Sequence, residues 1–523
     1  MATTRILIVA AEAFPLAKTG GLGDAITGMA RALAQAHMQP TLLLPAYRGV
    51  AQRLRPARPV ADLAGLPGGD ARLLAGVCPQ SGLSFLLLEN DALYDRAGLY
   101  LDDNGQEYAD NALRYAALAH AAVRIAQGLP GLPRPELVHA HDWHAALTPL
   151  LLRATGVTDV KSVLTIHNLA FQGPAALEDA PLLGVPAPFL GEDGAQAWGR
   201  LNFMKAGIRY ADRVTTVSHR YAREILTPEF GCGLDGVLRE RTADLCAIAN
   251  GIDTQLWNPA RDPHLGPLRY HPDDLANKRL CKAAAQREYG LREDPQATLL
   301  IMCSRLTGQK MADVAALALP RALEAHPALQ VAVLGQGERH LEAALRDLSQ
   351  RYPGRCAVRI GYEEAGAHRL QAAGDILLHG SRFEPFGLTP LYAMRYGTLP
   401  IGSRVGGMAD TIKDPGPQQP LTAMAGATGV LFDGSAPEDM AAAISRALHL
   451  HQHATLWRAM QRNAMTADFS WRPAVAGYLA LFRSLTGDAP APLAGGAQPL
   501  PAIAAPRLRR VRQASTLGAP APL

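Results

Sequence analysis

At 523 residues and 55.7 kDa the chain has room for roughly two to four domains. With 48% hydrophobic and 19% charged residues it can build more than one core, which excludes a chain disordered throughout. A net charge of +4, from 51 Lys+Arg against 47 Asp+Glu, is too small for a dedicated nucleic-acid binder. Six cysteines (Cys78, Cys232, Cys246, Cys281, Cys303, Cys356) lie far apart without a C-x-x-C pair. That excludes a disulfide scaffold and a clustered zinc site, and fits reduced thiols in a cytosol.

No apolar run approaches the roughly 20 residues that cross a bilayer, so no membrane partner is expected. Arg5 followed by six apolar residues has the outline of a signal peptide. Glu12 interrupts it at once, so a first buried strand and a cytoplasmic protein are expected. Short apolar runs then alternate with helix-length stretches. Expected strands are 5–11, 39–44, 83–89, 137–140, 162–166, 213–217 and 246–249, with a helix over 108–127. Around Asn250-Gly251-Ile252-Asp253 the rhythm breaks, and Pro259, Pro263, Pro267 and Pro272 suggest a linker. A helix over 278–289 follows, then strands at 297–303, 329–334, 357–360, 375–379, 399–401 and 429–432. Two such blocks predict an α/β protein with two doubly wound sheets and a ligand site in the cleft between them. Residues 487–523 hold ten Ala and seven Pro among 37 residues without periodicity, the composition of a disordered tail. Four arginines there (Arg507, Arg509, Arg510, Arg512) stand against Asp488, so most of the net charge belongs to the tail and the body is nearly neutral.

The first chemical motif is Lys18-Thr19-Gly20-Gly21-Leu22-Gly23-Asp24. Glycines let backbone N–H groups approach an anionic or hydroxyl-rich ligand, and the helix that follows offers its positive end. It is not a dinucleotide fingerprint: the glycines come too late after the strand, the third is missing, and no ribose-binding acid ends the next strand. A ligand loop and a plain strand-to-helix loop both fit. His139-Ala140-His141-Asp142-Trp143-His144 closes the strand 137–140. No second acidic or thiol cluster completes a metal site, so no metal is expected. Asp142 and Trp143 suit sugar hydroxyls and ring stacking; a packed histidine pair with Asp142 as helix cap is the plainer alternative. Thr165-Ile166-His167-Asn168 ends a second strand of the same sheet.

In the second half, Arg305 and Lys310 lie five apart across the loop Ser304-Arg305-Leu306-Thr307-Gly308-Gln309-Lys310 and can converge on one diphosphate. A solvated basic loop is the alternative. Arg382-Phe383-Glu384-Pro385-Phe386-Gly387-Leu388-Thr389 puts a carboxylate at a strand end for sugar hydroxyls. Gly387 and Thr389 there open a helix whose N–H groups face phosphate. Gly406-Gly407 repeats the glycine-then-helix device.

Taken together, these motifs resemble those of the bacterial glycogen synthases and plant starch synthases, glycosyltransferase family 5. The likeness rests on Lys18-Thr-Gly-Gly-Leu22, His139 to His144, Ile166-His-Asn168, Asn250-Gly-Ile-Asp253, Ser304 to Lys310, Arg382-Phe-Glu-Pro385 and Asp468-Phe-Ser-Trp471, and runs from Ile6 to about Leu485. It implies a GT-B fold of two doubly wound Rossmann-like domains facing a cleft. Residues 1–255, completed by a helix over 472–486, would form the acceptor-side domain, and 256–471 the nucleotide-sugar domain. It also implies transfer of glucose from ADP-glucose to the non-reducing end of an α-1,4-glucan (glycogen) with retained anomeric configuration and no cofactor. By the likeness, Lys18, Gly21 and Asn250 belong to the substrate site, and Asp142, His167 and Asn168 lie near the glucosyl group. Arg305 and Lys310 would hold the diphosphate, Glu384 the transferred glucose, and Tyr362 would stack on adenine. Three positions depart from the pattern. Phe386 replaces the usual Cys, which adds bulk near the expected glucose pocket; Met311-Ala312 follow Lys310 in place of a glycine; and Tyr392 stands where many related retaining transferases carry a second glutamate, which this family often lacks. Two alternatives are a transferase using UDP-glucose or another acceptor, and a non-catalytic glucan-binding protein.

Overall fold

The computed structural model describes residues 4–416 and 420–487. Its first half holds β1 (Arg5–Val9), β2 (Gln39–Pro45), β3 (Arg55–Leu66), β4 (Gly69–Val77), β5 (Ser84–Glu89), β6 (Leu137–His141) and β7 (Lys161–Ile166). After these come β8 (Pro174–Ala175), β9 (Gln196–Ala197), β10 (Arg200–Asn202), β11 (Arg213–Thr216) and β12 (Leu245–Ala247). The second half holds β13 (Thr298–Cys303), β14 (Leu329–Gly335), β15 (Cys356–Ile360), β16 (Ile376–His379), β17 (Leu399–Ser403) and β18 (Val430–Phe432).

The first sheet runs β12-β11-β7-β6-β1-β2-β5-β4-β3. From β12 to β5 its pairings are parallel, and the strands are apolar on both faces because helices cover both. The sequence reading did not foresee β3 and β4, an antiparallel hairpin added at the edge. The second sheet runs β15-β14-β13-β16-β17-β18, all parallel. This is the doubly wound 3-2-1-4-5-6 order, whose reversal between β13 and β16 opens a crevice at the strands' carboxyl ends. A small antiparallel sheet, β8-β10-β9, lies outside both.

Each large sheet has its own hydrophobic core. The last helix, Arg472–Thr486, packs into the first core through Ala474, Tyr478, Leu481 and Phe482. Ahead of it, the Trp471 indole fills the space beside Gly28, where a Cβ would collide with it. Gly487 ends that helix in the left-handed conformation (φ 85°), and the expected tail beyond it lies outside the described residues. No helix among the described residues is long and apolar enough to cross a membrane.

Candidate active site

All strand ends that matter here point to one edge of each sheet, because the ladders are parallel. At the end of β1 the chain passes through buried Glu12 and folds back as the glycine loop. Glu12 fixes that loop: its carboxylate accepts the Thr19 N–H (2.8 Å), the Thr19 hydroxyl (2.7 Å) and the Gly20 N–H (3.3 Å). The Tyr100 hydroxyl donates to it as well (2.7 Å). The helix Gly21–Gln35 starts from this anchored turn, with Gly20 extended at its N-cap. Lys18 lies between Asp24 (3.0 Å) and Glu364 (3.3 Å), the latter from the other half of the chain. Burial opposes the Lys18 charge, but the two carboxylates outweigh it and hold the ammonium above its usual pKa.

At the ends of β6 and β7 sit His139, His141, Asp142, His144, His167 and Asn168. Asp142 adopts φ +55° as the first residue of the helix Asp142–Ala145. Its Oδ1 accepts the backbone N–H groups of His167 (2.7 Å) and Asn168 (3.1 Å), so it ties two strand ends together instead of capping its own helix. Burial pushes its pKa up to about 7 despite those two donors. His141 Nδ1 meets His167 Nε2 at 3.0 Å, and His139 Nε2 meets the Thr165 hydroxyl at 2.7 Å. The His139 and His141 rings are 4.0 Å apart, as expected of alternate residues on one strand face. Burial drives the imidazoles of His139, His144 and His167 down to a pKa of about 3, so they are neutral near pH 7. Trp143 packs over Gly173 and stacks on His144 (4.2 Å).

The second half contributes a carboxylate and a cation in contact. Lys310 Nζ pairs with Glu384 Oε2, and both side chains are nearly buried. The same oxygen accepts from the Ser381 hydroxyl (2.9 Å) and His379 Nε2 (3.3 Å), while among the described residues Oε1 accepts nothing. Burial disfavours the Glu384 charge, yet Lys310 and His379 hold its carboxyl well below the usual range. Gly387 is left-handed (φ 88°) at the N-cap of the helix Leu388–Arg395, and Thr389 lies in that helix's first turn. Arg305 is exposed, held by Gln309 Oε1 at 3.3 Å, and has no acidic partner among the described residues. Tyr362 is exposed too, its hydroxyl donating to Glu364 and its ring 5.9 Å from Lys18 Nζ.

The two halves meet around this site. Gly21 approaches Leu388 so closely that a Cβ would lie 2.9 Å from Cδ1. The Tyr392 hydroxyl donates to Asp24 (3.3 Å), and its ring stacks on Trp257 (3.8 Å). On its other face Trp257 stacks on His368 (3.8 Å). A cavity of about 240 Å³ opens beside these groups, lined by Asp24, Arg31, Asp253, Trp257 and Tyr392.

Lys18, Gly21, Tyr362, Gly387 and Thr389 thus border one cleft, with Lys310 and Glu384 on one wall and Asp142, His167 and Asn168 at strand ends of the other. Asn250 is set apart. It lines a second interdomain cavity of about 740 Å³ with Phe386, Asp410 and Phe469, and its buried Oδ1 has no partner among the described residues. Phe386 is buried in the second core and borders that same cavity. Sequence reasoning missed Glu12, His379 and Glu364. Glu12 and His379 were legible, since each ends an apolar run at a strand's carboxyl end. Among the described residues no three His, Cys, Asp or Glu gather so as to hold a metal ion.

Comparison with known proteins agrees with this architecture. Residues 5–240 match the family described as the starch synthase catalytic domain, and residues 286–464 match glycosyl transferases group 1. The chain is 60% identical over 522 residues to a glycogen synthase of Bordetella petrii, covering 100% of this chain and 99% of that one. It is 63% identical over 501 residues to a glycogen synthase of Bordetella bronchiseptica, covering 94% and 98%. Among solved structures it is similar to the catalytic domain of starch synthase IV from Arabidopsis thaliana bound to ADP and acarbose. There the TM-score is 0.84 at 27% identity, over 93% of this chain and 100% of that one. A sucrose-phosphate synthase from Thermosynechococcus elongatus shares the fold, with a TM-score of 0.59 at 17% identity.

Proposed function

The chain belongs to the glycogen synthase family of GT-B glycosyltransferases, and from that premise we propose that it moves glucose from ADP-glucose to the non-reducing end of an α-1,4-glucan with retention at the anomeric carbon. The observation that carries this reading is the Lys310–Glu384 pair at the ends of β13 and β16, facing the helix start at Gly387. One anionic donor would meet a cation, a hydroxyl acceptor and free backbone N–H groups there. The similar starch synthase domain is bound to ADP and acarbose, which supports an adenosine diphosphate in the cleft.

In this reading Arg305 and Lys310 take the diphosphate oxygens, on which negative charge grows as the C1–O bond to ADP breaks. Tyr362 stacks on adenine, and Lys18 with Gly21 borders the phosphates. Glu384 is ionised, and its unpartnered Oε1 accepts sugar hydroxyls. A carboxylate already engaged by Lys310, Ser381 and His379 is a poor nucleophile. Transfer therefore runs on the front face: the acceptor 4-hydroxyl forms the new C1–O bond, and its proton passes to the departing phosphate oxygen. Among the described residues His141 Nε2 is buried without a partner, and a bare N–H there is less favourable than a bare lone pair. His141 then donates from Nδ1 to His167 Nε2, which leaves His167 its own proton on Nδ1 as a hydrogen bond for the glucosyl group. Asp142 and Asn168 line the same region.

The test is incorporation of labelled glucose into glycogen from ADP-glucose and from UDP-glucose, each with and without a chelator. We expect extension from ADP-glucose, undiminished by the chelator. No extension from ADP-glucose sinks the proposal.

A further inference from the structure

Two exposed aromatic rings lie outside the cleft and play no part in the chemistry above. Phe171 is 44% and Trp198 67% exposed. Trp198 and Gly199 form the two-residue turn between β9 and β10, with Ala197 paired to Arg200. Both turn residues have positive φ, 50° and 73°. A hairpin turn of that kind selects Asn, Asp or Gly at its first position, where a bulky side chain is strained. The strain is retained at a residue that buries little of its own surface, so local stability does not account for it. What the turn achieves is placement: the indole is laid on Gly233, where a Cβ would strike it.

A chain of contacts links this ring to the cleft. Phe171 follows Asn168 in a turn, its N–H donating to the Asn168 carbonyl (3.3 Å). Gln172 donates to the Cys232 carbonyl (3.0 Å), next to Gly233 beneath Trp198. Trp143, beside Asp142, packs over Gly173 at the other end of the same segment. The surface leading away from Asp142 and Asn168 is therefore fitted with Phe171 and then Trp198.

We infer that Phe171 and Trp198 form an aromatic rail for the α-1,4-glucan acceptor, binding glucose units several positions back from the end that reacts. This rests on the function proposed above. The C–H faces of successive pyranose rings are the apolar surface that a flat, water-exposed ring can cover, while the sugar hydroxyls stay hydrated. A rail set back from the reacting end favours acceptors long enough to reach it and leaves short ones unaffected.

The decisive variant is Trp198→Asn, which suits the turn better than Trp and keeps the fold. Steady-state kinetics with maltose, maltotriose, maltoheptaose and glycogen should show KM for the two long acceptors raised about three- to tenfold. The KM for the short acceptors and for ADP-glucose, and kcat, should not change; Phe171→Ala should act in the same direction and Trp198→Phe should restore most of the loss. Equal effects on short and long acceptors, or none on either, overturn the rail. If the wild-type protein extends no acceptor, the parent reading has failed on its own. Retardation of wild type and Trp198→Asn in gels containing glycogen still decides the rail: weaker retardation of the variant supports it and equal retardation overturns it.

Discussion

Glu384 and Lys310 are close to a contact ion pair with little water on either side. Removing one partner of such a pair leaves the other charge uncompensated, at a cost of about 3–5 kcal/mol, whereas replacing both by apolar groups is often neutral. Glu384→Gln and Lys310→Ala should therefore each lower stability, and Lys310→Met/Glu384→Leu should recover most of it. Activity should behave differently: each single variant should lose about 100- to 1000-fold in kcat, and the double variant should stay inactive. Denaturation alongside turnover separates the two, and a double variant that regains turnover would refute the assigned roles. Met311 poses a second residue-scale problem. It takes φ +52°, a left-handed conformation, yet it is wholly buried against the second core. The left-handed backbone costs about 1–2 kcal/mol, while a buried methionine contributes about 2–5 kcal/mol. Met311→Gly should thus destabilise by about 1–3 kcal/mol in urea denaturation, and a gain would show that strain dominates. At this scale the sequence already exposed the charged residues. Their pairing was hidden, because Lys310–Glu384 and Lys18–Glu364 join positions far apart in the chain, which only the folded sheets bring together.

The elements themselves were largely legible. Every strand expected from an apolar run is present within a residue or two, because strands of a parallel sheet are buried on both faces and read as continuous apolar segments. The hairpin β3–β4 was not, since its first strand carries Arg55, Pro56, Arg58 and Pro59 and is mostly exposed. Such an edge has no apolar period to recognise. The three short strands β8, β9 and β10 escaped for a similar reason: two or three residues carry no pattern. The last helix matters more than its position at the chain's end suggests. Tyr478 and Phe482 lie 5.5 and 5.7 Å from the His139 ring, and both are fully buried. The helix thus backs the histidine layer. Phe482→Ala should cost about 3–5 kcal/mol of stability. With the histidine layer unsupported it should also lower kcat at temperatures well below its Tm, while KM for the donor stays near wild type. Calorimetry and kinetics on one sample check both, and an unchanged kcat would confine the helix to a purely structural part.

At the scale of the molecule, the site's electrostatics set a pH dependence for the whole fold. His139, His144 and His167 are held near pKa 3 by burial, against about 6.5 when unfolded. Between those values the unfolded chain binds more protons, so each imidazole stabilises the fold fully above pH 6.5 and ever less as pH falls. Asp142 works the other way. Its carboxyl is raised to about 7 from 3.8, so between those values the native state holds the extra proton, and stability from this group falls as pH rises. Burial pushes the His141 imidazole down in the same way, so over these five groups four protons taken up on unfolding against one released leave a net of three. Near pH 5 these groups contribute a slope of at most about 4 kcal/mol per pH unit. Glu384, held well below its usual range, adds a further loss only at more acid pH, below about 4.5. Urea midpoints measured from pH 7.5 to 5.0 should therefore fall steadily, with most of the drop below pH 6.5. Asp142→Asn removes the group of this cluster that opposes the imidazoles, so its midpoints should fall more steeply with acid than those of the wild type. A flat profile, or one equally steep in both proteins, would mean that the buried imidazoles and Asp142 take up protons together as one relaxed, hydrated cluster.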